Sequence, residues 1–205
     1  MPARRPTVFI NVPFDHQYER LYVALIAGIV ALGARPRSTL EIPPTKDRLR
    51  RIFTLIRSCD FSIHDLSRVQ LSGTSPRCPR FNMPFEAGLA AAWYLSGKKR
   101  QWYLLESNRF RLQKSLSDLN GYEVNIHEGT TQGILTALLD IFPYRPHQPG
   151  PTELRLVSRL LQKAAKEIKK QTHFDLFRPR AFELLRESAL EISRRTESRQ
   201  TVMFD

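Results

Sequence analysis

A chain of 205 residues with 41% hydrophobic and 25% charged residues has the makeup of an ordinary globular protein, which excludes wholesale disorder, a fibrous repeat and a disulfide-stapled miniprotein. Its formal net charge of +12 attracts anions (nucleotides, dinucleotides, nucleic acid or acidic lipid) without choosing among them. No apolar run approaches the roughly 20 residues that span a bilayer, and Met1-Pro-Ala-Arg-Arg-Pro leads into a strand rather than a signal-peptide core, so a cytoplasmic location without a membrane partner is expected.

The first strand is predicted at residues 7–12, Thr-Val-Phe-Ile-Asn-Val, a β-branched run suited to burial on both faces of a parallel sheet. It exits at Pro13-Phe-Asp15. Between Tyr18 and Leu32 the apolar residues Leu21, Ala24, Leu25, Gly28, Ile29 and Leu32 recur at helical spacing, and Gly33 stands where a helix stops. A short edge strand is expected around residues 34–39, where Pro36 is tolerated. The next helix, capped by Thr45, carries Leu49, Ile52, Phe53 and Ile56 on one face and Arg48, Arg50 and Arg51 on its outer side. Residues 60–65 form a third strand that emerges at Asp65-Leu-Ser-Arg68.

A loop rich in Ser, Pro, Gly and Arg covers residues 69–81, and Asn82 is expected to cap a helix whose first turn holds Pro84 and which runs to Gly97. Strands at 101–105 and 122–126 and a helix at 131–142 complete the alternation, with Trp93 and Trp102 as core. Such alternation predicts an α/β, flavodoxin-like (Rossmann-like) domain over residues 1–145, with a five-stranded parallel sheet in the order 2-1-3-4-5. Pro143, Pro146, Pro149, Gly150 and Pro151 mark a stiff linker. Beyond it, residues 151–205 read as a helical hairpin. Thr152 caps its first helix, whose apolar stripe is Leu154, Val157, Leu160, Leu161, Ala164, Ala165 and Ile168; the second helix carries Phe182, Leu185, Ala189, Leu190 and Ile192. The hairpin must dock on the sheet domain or on a second copy, so a homo-oligomer held by sheet-domain or C-terminal helices is expected. No helix reads as an unbroken basic stripe, which leaves nucleic acid possible but not favoured. Cys59 and Cys78 lack CxxC spacing and clustered histidines, predicting reduced thiols and no metal site.

In an open parallel sheet, ligands bind outside the carboxyl ends of the strands where the strand order reverses, here between the first and third strands. Asn11, Pro13 and Asp15 leave the first; His64, Asp65, Ser67 and Arg68 leave the third. Glu86 opens the following helix, so two carboxylates, Asp65 and Glu86, are expected to share one sugar-sized crevice. The helix amino end beside Asn82, with Arg68, Arg77 and Arg80, suits phosphate oxygens. A carboxylate beside an anomeric carbon stabilises an oxocarbenium-like transition state, the chemistry of N-glycosidic cleavage. Each residue also has a plain reading: Glu86 as a helix-dipole partner, Asp65 as a turn cap, Asn11 and Asp15 as loop formers, Arg77 and Arg80 as solvated charge, His64 as a packed residue with no part in the mechanism.

Three segments, Val8-Phe-Ile-Asn-Val-Pro-Phe-Asp15, Cys59-Asp-Phe-Ser-Ile-His-Asp-Leu-Ser67 and Phe81-Asn-Met-Pro-Phe-Glu-Ala-Gly-Leu-Ala90, resemble the nucleoside 2-deoxyribosyltransferase-like superfamily and its Toll/interleukin-receptor-like NAD hydrolase relatives. The resemblance covers the first two-thirds of the chain. It implies a flavodoxin-like fold, a glutamate nucleophile at Glu86, a strand-end aspartate at Asp65, and an N-glycosidase for which NAD is the first substrate to test, a substrate and not a cofactor, in a bacterial defence or signalling setting. Val12-Pro13 departs from the Gly-Pro that the transferases usually carry, and the loop before Glu86 is longer and more basic. Ribosyl or deoxyribosyl transfer, nucleotide hydrolysis, and a non-catalytic nucleotide sensor or assembly module are the alternatives.

Overall fold

The computed structural model describes residues 4–44, 46–69, 77–97, 101–143 and 148–204, with residues 199–204 as backbone only. Thr45, much of the loop at 69–81 and part of the proline-rich linker lie outside the described residues. The elements in chain order are β1 (Thr7–Asn11), α1 (Glu19–Ala31), β2 (Arg35–Ser38), α2 (Arg48–Ser58), β3 (Phe61–Asp65), α3 (Asn82–Leu95), β4 (Gln101–Glu106), α4 (Arg111–Ser115), β5 (Val124–Ile126), α5 (Thr131–Ile141), α6 (Pro151–Thr172) and α7 (Pro179–Phe204). The strands form one five-stranded, all-parallel sheet in the order β2-β1-β3-β4-β5, interleaved with helices and followed by two C-terminal helices, the α/β Rossmann-like architecture expected from the alternation.

Two compact units emerge from the packing. One comprises Pro6–Pro13 and Arg37–Gly129 and holds nearly all of the sheet with α2, α3 and α4. Its register is continuous at the carboxyl edge: Asn11 lies beside His64, Asp65 beside Leu105 and Glu106 beside Ile126. Phe9 packs with Ile52, Leu55, Ile56, Cys59 and Ala90, while Leu66, Met83, Ala87, Leu104 and Leu112 form a second cluster, and partly buried Trp102 packs against both. Burying such side chains stabilises the fold by roughly 1.5–3 kcal/mol each relative to solvent. Trp93 is less a core residue than a platform: its ring takes the edge of Phe53 and carries the Arg57 guanidinium 4.3 Å from its centroid.

The other unit contains Phe14–Pro36 and everything from Thr130 onward. Its centre is α1, buried at every position from Leu21 to Ala31 and so more than the one-sided stripe the spacing suggested. Helices α6 and α7 pack on each other and on α1, and α5 packs on both α1 and α6. Leu154, Val157, Leu161, Ala165 and Ile168 face inward on α6, whereas Leu160 is exposed because it lies a quarter-turn off that row. The α6–α1 contact also carries Lys169 Nζ to both carboxylate oxygens of Glu19 at 2.9 Å and Gln162 Nε2 to the Arg20 carbonyl at 2.7 Å.

Gly28 is required by this packing. A Cβ there would lie 2.4 Å from Leu138 Cδ1 and 3.1 Å from Leu135 Cδ2, and both leucines are buried. Gly28→Ala is therefore expected to lower stability by about 1–3 kcal/mol through overpacking, against the usual helix-propensity gain of alanine. Urea denaturation of the two chains checks the sign.

Two caps differ from expectation. Asn82 is the first residue of α3 rather than its cap; Phe81 occupies the cap position in a helical conformation and makes no capping bond. Thr152 does not cap α6: Gly150 does, Pro151 follows, and Glu153 reaches back to the Gly150 N–H at 2.6 Å, leaving the Thr152 hydroxyl to accept from Arg155 at 2.9 Å. Arg48 starts α2, with Asp47 at its cap position. Among the described residues no helix is long and apolar enough to cross a membrane.

Candidate functional site

Every strand delivers a buried polar residue at or just past its carboxyl end: Asn11 on β1, Ser38 on the edge strand β2, Asp65 on β3, Glu106 on β4 and, one residue past β5, His127. Successive strand residues point to opposite faces, so His64 and Asp65 part company at the end of β3. His64 goes to the α3 side. There the Asn11 amide donates to the Met83 carbonyl of α3 at 2.8 Å and lies 3.0 Å from His64 Nδ1. One side chain thus ties the first turn of α3 to the ends of β1 and β3. Asn11 is 5% exposed, with its amide committed to this tie.

His64 is fully buried between Phe9 and Trp102, and burial drives its pKa from 6.5 down to about 3. Nδ1 accepts from Asn11, which leaves the proton on Nε2, a buried N–H with no partner among the described residues. Desolvation forbids the imidazolium. The folded state refuses a proton that the unfolded chain accepts, so stability is complete above 6.5 and drains away as pH falls toward about 3. Urea midpoints measured across that window are expected to slope downward toward acid, and His64→Gln should remove that part of the slope.

Asp65 leaves the opposite face with no exposed surface. Its Oδ2 lies 3.1 Å from His127 Nε2, and its Oδ1 accepts the Ser67 N–H at 2.8 Å. The Gly129 N–H donates to His127 Nδ1 at 3.1 Å, placing the ring proton on Nε2, whose approach to Asp65 is a close contact rather than an aligned hydrogen bond. The turn that makes this possible runs through left-handed Glu128 (φ 52°) and Gly129 (φ 66°), a conformation that costs a non-glycine residue on the order of 1 kcal/mol. His127 escaped the sequence reading, although its place immediately after the last strand is the same signal that identified Asp65.

Glu106 was missed for a similar reason, being the first charged residue after an apolar strand. Its carboxylate accepts Arg111 Nε at 3.0 Å and Nη2 at 2.5 Å, together with the Ser107 and Asn108 N–H groups, and Arg111 also donates to the Leu66 carbonyl at 3.2 Å. That saturated fork fastens α4 to the sheet and leaves Glu106 little capacity for a ligand.

Glu86 sits at the start of the second turn of α3, partly buried, and makes no hydrogen bond or ion pair with a described residue. Burial pushes its carboxyl from 4.5 up to about 7, with the positive charge of Arg48 pulling the other way. A carboxyl raised by burial and without a hydrogen-bond or ion-pair partner among the described residues makes Glu86 a candidate for the site's chemistry. α3 packs on the sheet face that His64 occupies, and Asp65 departs from the other. Among the described residues no bond joins the two acids.

The remaining expected site residues are dispersed. Pro13 is buried just beyond β1; Ser67 is buried, with its N–H spent on Asp65. Arg68 and Arg80 are partly buried, and the Arg80 N–H donates to the Val69 carbonyl at 3.3 Å. Asn82 and Arg77 are exposed. Asp15 belongs to the other unit, where its carboxylate accepts the Tyr18 N–H at 3.0 Å and caps a short 3-10 turn. One trio among the described residues, His16, Glu19 and Asp175, has metal-ligand spacing, but Glu19 is already paired with Lys169. No protein-family model matches this sequence, and no curated protein matches it either.

Proposed function

We propose that the chain is an N-glycosidase that cleaves the ribosyl–base bond of a nucleotide, with Glu86 as nucleophile and NAD as the substrate. The observation that carries this reading is Glu86 itself: a partly buried carboxyl raised to about 7, without a hydrogen-bond or ion-pair partner among the described residues, on a helix anchored at its first turn to the ends of β1 and β3. In the proposed reaction the Glu86 carboxylate attacks the anomeric carbon as the bond to nitrogen breaks. The base leaves with the bonding electron pair, and water then attacks the same carbon to release the sugar and restore the carboxylate.

NAD is favoured over neutral nucleosides by what accompanies Glu86. A pyridinium base leaves as a neutral molecule and requires no proton, whereas a neutral purine or pyrimidine is helped by an acid at its ring nitrogen. The other strand-end acid, Asp65, is engaged with His127 on the opposite face of the sheet. Asp65 then acts as a positioning residue, holding the turn that carries Ser67 and Arg68. The net charge of +12 raises the local concentration of an anionic dinucleotide.

Self-association accompanies this reading: Phe81, Phe85 and Leu95 form an exposed apolar edge along α3, where Gly88 has open space beside it. The alternatives, ribosyl transfer to another base and a non-turning-over nucleotide sensor in a defence or signalling assembly, are separated by product analysis. The chain is incubated with NAD, nucleosides and nucleoside monophosphates, with and without a free acceptor base, and the products are chromatographed. Nicotinamide release from NAD supports the proposal. Base exchange only, or binding without turnover at any protein concentration, replaces it.

A further inference from the structure

The helical unit contains a cavity of about 520 Å³ lined by Arg20 of α1, Thr131, Gln132 and Leu135 of α5, and Arg155, Ser158, Arg159, Gln162 and Lys166 of α6. None of these residues belongs to the strand-end group. Four of the nine are cations and none is an acid. Arg20, Arg155, Arg159 and Lys166 have no carboxylate partner among the described residues, although the same helix shows that pairing is available, through Lys169 and Glu19. Arg155 spends its donors on Gln132 at 3.4 Å and Thr152 at 2.9 Å, neutral partners that orient the guanidinium without cancelling its charge.

Two further features point to a ligand. Ser158 is 4% exposed, lines the cavity, and its hydroxyl takes no hydrogen bond among the described residues. The Ser158 oxygen is not one of the fully enclosed unsatisfied atoms, so it keeps access to the cavity and can bond a ligand there. The cavity wall also includes the first turn of α5, an eleven-residue helix capped by Thr130, whose amino end favours negative charge. Arg155, Arg159, Gln162 and Lys166 follow one another at spacings of four, three and four, a polar row beside the apolar row that packs on α1.

We infer that this cavity binds a small polyphosphate, an anion carrying two or more phosphate groups. One phosphate needs one or two cations, whereas four exposed cations, none with a carboxylate partner among the described residues, around a volume in the usual range for small-molecule sites suit several phosphates together. Leu135 is the single apolar residue in the lining, so recognition rests on the phosphates and little on a base. The inference does not depend on Glu86 or on catalysis.

The test is titration calorimetry of the full chain with inorganic tripolyphosphate and, separately, with ATP in the absence of divalent metal. Arg159→Ala/Lys166→Ala removes two cavity cations, and Lys163→Ala/Lys170→Ala removes two lysines of the same helix, equally exposed, outside the cavity. The cavity variant is expected to bind both probes at least tenfold more weakly at unchanged melting temperature, and the control within about threefold of the parent. Equal affinity for the two probes identifies a bare polyphosphate as sufficient; ATP at least tenfold tighter identifies a nucleotide. Equal losses in both variants, or sulfate at matched ionic strength competing as well as tripolyphosphate, overturn the inference. So does a single-stranded oligonucleotide that binds more tightly with increasing length.

Discussion

Glu86→Gln is expected to abolish NAD cleavage, by on the order of 10³-fold or more in kcat, while making the protein more stable at alkaline pH. The activity loss follows from removing the nucleophile but keeping its shape. The stability gain follows from linkage. Glu86 binds its proton more tightly folded (about 7) than unfolded (4.5), so the folded state is relatively most favoured below 4.5 and loses that advantage as pH rises through 7. The full gap corresponds to roughly 3 kcal/mol at most, reduced in practice by the partial exposure of the side chain. Glutamine has no charge to desolvate. The melting temperatures of parent and variant should coincide near pH 4.5, diverge as pH rises toward 7 and keep a constant gap above it, with the variant higher. A variant that is both inactive and equally destabilised at every pH would mark Glu86 as a packing residue.

Asp65→Ala has the opposite expected profile, a loss of roughly 2–4 kcal/mol in stability, because it removes a buried acceptor that both His127 Nε2 and the Ser67 N–H face. His127→Ala should cost less, and the double variant less than the sum of the two, with a coupling of at least about 1 kcal/mol by urea denaturation. Simple additivity would show that the 3.1 Å approach contributes nothing. Asp65→Asn, which keeps an acceptor, should lower NAD turnover by less than about tenfold if the residue positions the turn. A loss as deep as that of Glu86→Gln would instead return Asp65 to the reacting centre.

The sheet was legible because its signals are local and redundant. β-branched runs at β1 and β3, each followed by a helical apolar pattern, leave few topologies once right-handed crossovers are required, and the order β2-β1-β3-β4-β5 follows. Caps were less legible. Asn82 and Thr152 are both good capping residues, but whether a side chain caps depends on its backbone entering extended, and here Phe81 is helical and Gly150-Pro151 starts its helix two residues early. The short helix α4 follows a left-handed Phe110 (φ 61°) that no turn motif announces.

The candidate site was legible by position and not by orientation. The rule that ligands gather at strand carboxyl ends located Asp65 and the helix bearing Glu86. Period-two alternation, which reverses direction between His64 and Asp65, sends Asp65 to His127 and leaves the α3 side to His64 and Asn11. The raised pKa of Glu86 arises from long-range burial, which one-dimensional spacing does not carry. The basic row on α6 was hidden for a similar reason: Gln162 interrupts it, and Arg20 completes the cavity only through the packing of α1.

Whether the carboxylate form of Glu86 is the working nucleophile is decided by the pH dependence of nicotinamide release from NAD, measured as kcat/KM on the parent chain and on Glu86→Gln. The parent profile is predicted to rise tenfold per pH unit below an inflection near 7 and to level above it, with the variant flat and lower by on the order of 10³-fold. A variant that releases nicotinamide at the parental rate, or a parent profile without that inflection, would contradict the account.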